Sequence, residues 1–164
     1  LSRNISINKL EEKIKINQFP LTNKQNEYLI FEETEFVEGW SMNTFGAGID
    51  HEGKEIKPKN RYKIFGTSIN YLIKNNILSI PNYIKIDVDG IEHLILDGAG
   101  DHLDNPEIRG MSIELNEDFK NQFDSVLKIM DKFNFKIKHK KHASMFDKSD
   151  KFSKFFNYVF EKQD

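Results

Sequence analysis

The chain has 164 residues, with 24 Lys+Arg against 26 Asp+Glu, no Cys, 14 Phe, 5 Tyr and one Trp. That length suits one domain with a real core, and the aromatic content excludes a disordered chain. The missing Cys excludes a disulfide framework, a thiolate zinc site and a cysteine nucleophile; the balance of −2 argues against an electrostatic nucleic-acid binder, and no run approaches the roughly 18 apolar residues of a membrane span, so a soluble, cytoplasmic domain is expected.

The chain opens Leu1-Ser2-Arg3-Asn4 and its first segment reads like the inside of a helix, so part of a longer protein is expected. Leu1, Ile5 and Leu10 predict a short amphipathic helix ending near Asn8. Lys13 to Ile16 alternates Lys and Ile, a half-buried strand pattern closed by Phe19-Pro20. Tyr28 to Phe36 predicts a second strand. Gly39 to Gly53 holds four glycines and predicts a loop with a hairpin-like turn; a long loop in a compact domain is often functional. Arg61 to Phe65 predicts a strand, and Thr67 an N-cap for a helix through Ile69, Leu72 and Ile73. Tyr83 to Val88 is the clearest strand, followed by a helix from Gly90 to Asp97 that Gly98 stops. Ile108 to Leu115 predicts a strand, and Phe119 to Phe133 a helix with Phe123, Val126, Leu127 and Met130 on one face. Phe133 to His139 and Phe155 to Phe160 read as closing strands, and Lys148 to Lys154 as a solvated turn. The alternation of strand and helix predicts an α/β fold with a mostly parallel sheet and a closing antiparallel hairpin. Ligands of such sheets sit at the carboxyl ends of the strands.

The segment Lys85-Ile86-Asp87-Val88-Asp89-Gly90-Ile91-Glu92-His93 is therefore the most informative. Ile84, Ile86 and Val88 share one face of the strand, and Tyr83, Lys85 and Asp87 the other. A Lys and an Asp on one face need pairing with each other or with a ligand, since burying either charge alone is costly. Asp89 and Glu92 also fit a capping box, and Gly90 a tight turn. Asp87-Val88-Asp89 could hold a divalent cation as a carboxylate pair, as in many glycosyltransferases. The haloacid-dehalogenase pattern fails, because Ile91-Glu92 follows Gly90 and no acidic pair ends a later strand. Glu114 and Asn116 end the next strand, whose tip lies near Asp87 in a parallel sheet. Interacting carboxylates can hold a cation or raise one pKa for proton abstraction. Ser41, beside the only Trp, suits a ligand wall but lacks the context of a nucleophile. His93 is a further acceptor-side candidate, against a packing role. The run Lys136 to His142 reads as a solvated lysine face, with His139 and His142 wrongly spaced for a metal pair on a strand.

Ile84 to Ala99 resembles the KIDVEG-x-E-x-x-x-L-x-GA signature of FkbM-type S-adenosylmethionine-dependent methyltransferases. Leu1-x-x-Asn4-x-x-x-Asn8, Thr67-Ser68-Ile69-Asn70-Tyr71-Leu72, Ile113-Glu114-Leu115 and Asn157-Tyr158-Val159-Phe160 resemble further family segments in the same order. Asp89 stands where Glu is usual, and Asn70 where Asp is usual. The resemblance implies a Rossmann-like class I methyltransferase fold, and O-methylation of a hydroxyl on a sugar, glycan or natural-product acceptor, with S-adenosyl-L-methionine as methyl donor. By this likeness Asp87 faces the methyl-transfer centre, with Glu114 or Glu92 as alternative bases. Lys85 sets the charge of Asp87, Asp89 and Gly90 support the turn, and His93, Ser41 and Asn116 face the acceptor. The family's first strand with its glycine-rich cofactor loop has no counterpart here, and Gly46-Ala47-Gly48 does not replace it. The chain is thus expected to be a single, N-terminally truncated domain that alone binds the cofactor poorly. The rivals are a metal-dependent glycosyltransferase-like domain using Asp87 and Asp89, and a non-catalytic remnant. Cation dependence, oligomeric state and acceptor identity stay open.

Overall fold

The computed structural model describes residues 1–34, 43–142, 149 and 152–163. Helix α1 (Ser2–Ile7) is followed by strands β1 (Glu27–Glu33), β2 (Asn43–Phe45) and β3 (Asn60–Gly66) and helix α2 (Ile69–Lys74). Strand β4 (Tyr83–Ile86), helix α3 (Glu92–Ala99), a 3₁₀ turn (Gly100–Asp104), strand β5 (Gly110–Asn116) and helix α4 (Lys120–Lys132) come next. Strands β6 (Phe135–Lys141) and β7 (Phe155–Lys162) close the chain.

The strands form two sheets. One is antiparallel, in the order β2-β1-β3; the other is mixed, in the order β4-β5-β7-β6. The expected mostly parallel sheet is corrected: among the described residues only β4 and β5 pair in parallel. A parallel pair needs a crossover helix, and α3 supplies one between β4 and β5. The returning strand β7 enters between β5 and β6 in the opposite direction, which gives the expected antiparallel hairpin with β6.

Alternation sets the faces of the second sheet. Met111, Ile113 and Leu115 of β5 are almost fully buried, while Ser112 and Glu114 are half-exposed. Tyr158 and Phe160 of β7 repeat the pattern. Helices α3 and α4 cover the apolar face with Ile95, Leu96, Ala99, Val126 and Met130, and Phe45 of β2 joins the same core. Apart from the small Ala99, each of these buried side chains contributes about 1.5–3 kcal/mol. The opposite face carries Tyr83 and Lys85, both exposed. The strand therefore tolerates a Lys and an Asp on one face because that face is open.

Several local expectations are corrected. Lys13 to Ile16 forms no strand; it has no neighbour to pair with, and Ile14 and Ile16 stay exposed. The cap of α2 is Ser68, whose hydroxyl accepts the Tyr71 N–H at 3.2 Å. Thr67 instead donates to Asn26 Oδ1 at 2.9 Å and exchanges backbone bonds with Pro20 and Thr22. Helix α3 does not stop at Gly98 but runs through it to Ala99, with Gly100 (φ 57°) as its C-cap. Gly98 is there for space: a Cβ on it would fall on the Thr22 carbonyl, well inside van der Waals contact. The end of the predicted Tyr28–Phe36 strand and most of the Lys148–Lys154 turn lie outside the described residues.

Candidate active site at the carboxyl ends of β4 and β5

Strand β4 ends at Ile86, so Asp87 is the first residue beyond it, and Ile86 pairs with Ile113 in register. That register sets Glu114 beside Asp87, as the sequence predicted. Lys85 Nζ and Asp87 Oδ2 form an ion pair on the open face. Burial, and then the neighbouring Asp87 carboxylate, push Glu114 above the ordinary range, while Lys85 opposes the shift.

The chain then turns through Gly90, whose φ of 103° suits glycine. A Cβ there would lie 2.7 Å from the Asp50 carbonyl oxygen, so the residue also permits a close backbone approach. The expected capping box is not formed. Ile91 is the N-cap of α3, without a side-chain capping bond. Asp89 instead accepts the Asn43 N–H at 3.3 Å, and its pKa is raised mainly by burial. Glu92 is 1% exposed and accepts a hydrogen bond from Gln122 Nε2. Burial pushes its pKa up to about 8, against the pull of nearby backbone N–H groups.

The segment approaching Gly90 is the turn of a small hairpin between β2 and β3. Ile49 pairs with Glu55. Asp50 Oδ1 accepts the N–H groups of Glu52 and Lys54 at 2.8 and 2.9 Å, an Asx-type turn. Gly53 (φ 77°) lets this turn lie against the Phe119 ring, which a Cβ would strike. Asn116 fastens the tip, donating from Nδ2 to the His51 carbonyl at 3.2 Å while its Oδ1 accepts from Asp118 N–H at 3.0 Å. The hairpin predicted within Gly39 to Gly53 is thus present at the end of that stretch.

Two cavities flank the tip. One, of about 190 Å³, is lined by Asp89, Gly90, Glu92, Glu114, Asn116 and Gln122, with Val88, Phe152 and Phe155 as its apolar wall. The other, of about 360 Å³, lies on the hairpin side between Asn43, Thr44, Asp50, Glu52, Lys54 and Asp89. His51 and Asp89 line both. Of the sequence candidates, Asp89, Gly90, Glu92, Glu114 and Asn116 line the first cavity; Asp87 does not line it, and Lys85 lines a separate cavity on the open face of the sheet. His93 lines neither cavity and packs edge-on against Phe119, ring centroids 6.4 Å apart, with burial lowering its pKa. Ser41 lies outside the described residues. His51, Gln122, Phe152 and Phe155 are lining residues that the sequence reading passed over. For Gln122 a signal existed: it stands four residues before Val126 and eight before Met130, a polar residue on an apolar stripe.

The first cavity lies at the carboxyl ends of the parallel strand pair of an α/β domain, the region where such sheets bind ligands. Over residues 2–137 the chain matches the family described as Methyltransferase FkbM domain. The chain belongs to that family, which is one of methyltransferases. No curated protein and no solved structure matches it. Among the described residues no helix is long and apolar enough to cross a membrane, and no group of three or more His, Asp or Glu could hold a metal ion.

Proposed function

We propose that the chain carries the acceptor side of an S-adenosylmethionine-dependent O-methyltransferase acting on a hydroxyl of a sugar, glycan or natural product. The observation that carries this reading is the meeting of Asp87, Asp89 and Glu114 at the β4 and β5 tips, inside a chain of the FkbM family. A sulfonium is a cation, and this acidic rim complements its charge. The described residues hold no strand, glycine-rich loop and helix for the nucleoside half. Among the described residues one side of β4 has no partner strand, and we assign to that edge the strand that would bring such a loop.

When bound, the cofactor supplies an electrophilic methyl group. The chain's own task is to align the acceptor oxygen with that group and to receive the hydroxyl proton. Asp87, held by Lys85, faces the transfer centre and sets its field. Glu92 is buried against Gln122 with its pKa pushed up to about 8, so the more exposed Glu114 is the carboxylate we place on the acceptor side. The family match favours methyl transfer over glycosyl transfer through Asp87 and Asp89.

Replacement of Asp87 by Asn in the full-length protein is the direct test. Transfer of labelled methyl from S-adenosylmethionine is expected to fall about 10²–10⁴-fold, with an unchanged circular dichroism spectrum. Turnover equal to wild type would remove Asp87 from the transfer centre.

A further inference from the structure

Five buried side-chain polar atoms among the described residues have no hydrogen-bond partner: Thr44 Oγ1, His51 Nε2, His93 Nδ1, His102 Nε2 and Gln122 Oε1. Three of the five belong to residues lining the two cavities: Gln122 the smaller, Thr44 the larger and His51 both. An orphaned buried polar atom costs about 1–3 kcal/mol, so three around one feature mark a place built for a polar occupant. His51 is 9% exposed, and its Nε2 stands 3.9 Å from Glu52 Oε1, beyond hydrogen-bond reach. Its ring packs against Phe152 and Phe155, and its backbone carbonyl accepts from Asn116. The imidazole is thus fixed in place while its buried Nε2 has no hydrogen-bond partner.

We propose that the Asp50–Gly53 turn is the acceptor-holding element, with His51 as the proton acceptor and Thr44 and Gln122 as hydroxyl-binding residues. This rests on the methyltransferase reading above and replaces its carboxylate base with a histidine. The two cavities lie on either side of His51 and Asp89, which line both. The smaller, at about 190 Å³, is below the 300–1,000 Å³ of sites that enclose a whole drug-sized ligand. It takes one ring of an acceptor whose remainder lies along the hairpin side. Thr44 Oγ1 can donate and accept, and Gln122 Oε1 accepts, so the fitting ligand is a polyhydroxylated ring with aromatic side chains against its C–H face. In the transfer the acceptor oxygen bonds to the methyl carbon with its own electron pair. The carbon–sulfur bond breaks with its pair going to sulfur, which becomes a neutral thioether. The hydroxyl proton passes to His51 Nε2, and the positive charge of the sulfonium ends as that of the imidazolium.

The test is an NMR titration of the full-length protein with a panel of methyl glycosides, with p-cresol as the apolar control. At least one glycoside is expected to shift the His51 imidazole and the Asp50 to Gly53 amides, whereas p-cresol does not. T44V and Q122L are each expected to weaken that glycoside about tenfold, and either one that folds suffices. H51Q keeps the glycoside affinity within about threefold, while kcat for methylating it falls about 10²–10⁴-fold. If no glycoside shifts these signals while S-adenosylhomocysteine binds, the acceptor site is overturned and the methyltransferase reading stands. If glycosides bind but wild type transfers no methyl group, the reading itself fails and takes the proton-acceptor role with it. Turnover by H51Q within threefold of wild type returns the base to a carboxylate.

Discussion

A carboxyl group that is 1% exposed must either ionise against a cation or keep its proton, and among the described residues no cation stands beside Glu92. It ionises near 4.5 in the unfolded chain and near 8 in the fold. Below 4.5 both states hold the proton. As pH rises from about 4.5 to 8 only the unfolded state gains by ionising, so the fold loses stability across that window and then levels off. The loss from this one group is on the order of a few kcal/mol. Glu92→Gln keeps a hydrogen-bonding oxygen for Gln122 and has nothing to titrate. The variant is expected to gain on wild type by that amount between the two ends of the window, read from urea unfolding curves. A constant difference would mean that Glu92 titrates as an ordinary carboxyl. The same residue shows where sequence reading stops. The spacing of Asp89 and Glu92 is correct for a capping box, yet burial and Gln122, thirty residues away, decide what Glu92 does.

Among the elements, α3 depends on a contact that helix propensity misjudges. Glycine to alanine inside a helix ordinarily gains about 1 kcal/mol. At Gly98 the added methyl would meet the backbone of Thr22 and Asn23, which cannot move aside as a flexible side chain does. Gly98→Ala is therefore expected to lose about 1–3 kcal/mol, seen as a lower urea midpoint. A variant as stable as wild type would show that the Thr22 segment yields. In the sequence Gly98 reads as a stop because a glycine after an apolar run usually is one; nothing local discloses a carbonyl arriving from residue 22. The pairing of Lys85 with Asp87 and the nearness of Glu114 were legible, because strand alternation and parallel register fix both within one supersecondary unit. His51 was not, since its place depends on how a hairpin of one sheet docks on the tips of another.

Across the whole molecule, β5 is hydrogen-bonded on both sides while β4 and β6 form the borders of the second sheet. In the 164-residue chain, amide hydrogen exchange is expected to be slowest in β5, with the outward amides of β4 exchanging much faster. Equal protection of the two strands would contradict that order. The two borders are also chemically different. Along β6, Lys136, Lys138 and Lys140 pair with Asp131, Glu161 and Glu117 at 2.6 Å each, and such a charged rim repels a further strand. Strand β4 has a single lysine, tied to Asp87, beside an exposed Tyr83. The sheet consequently has a direction of growth: another backbone can add at β4 and is turned away at β6. Whatever lengthens it must come to the border that also carries Asp87, so a newly added strand and the reacting groups would share one rim.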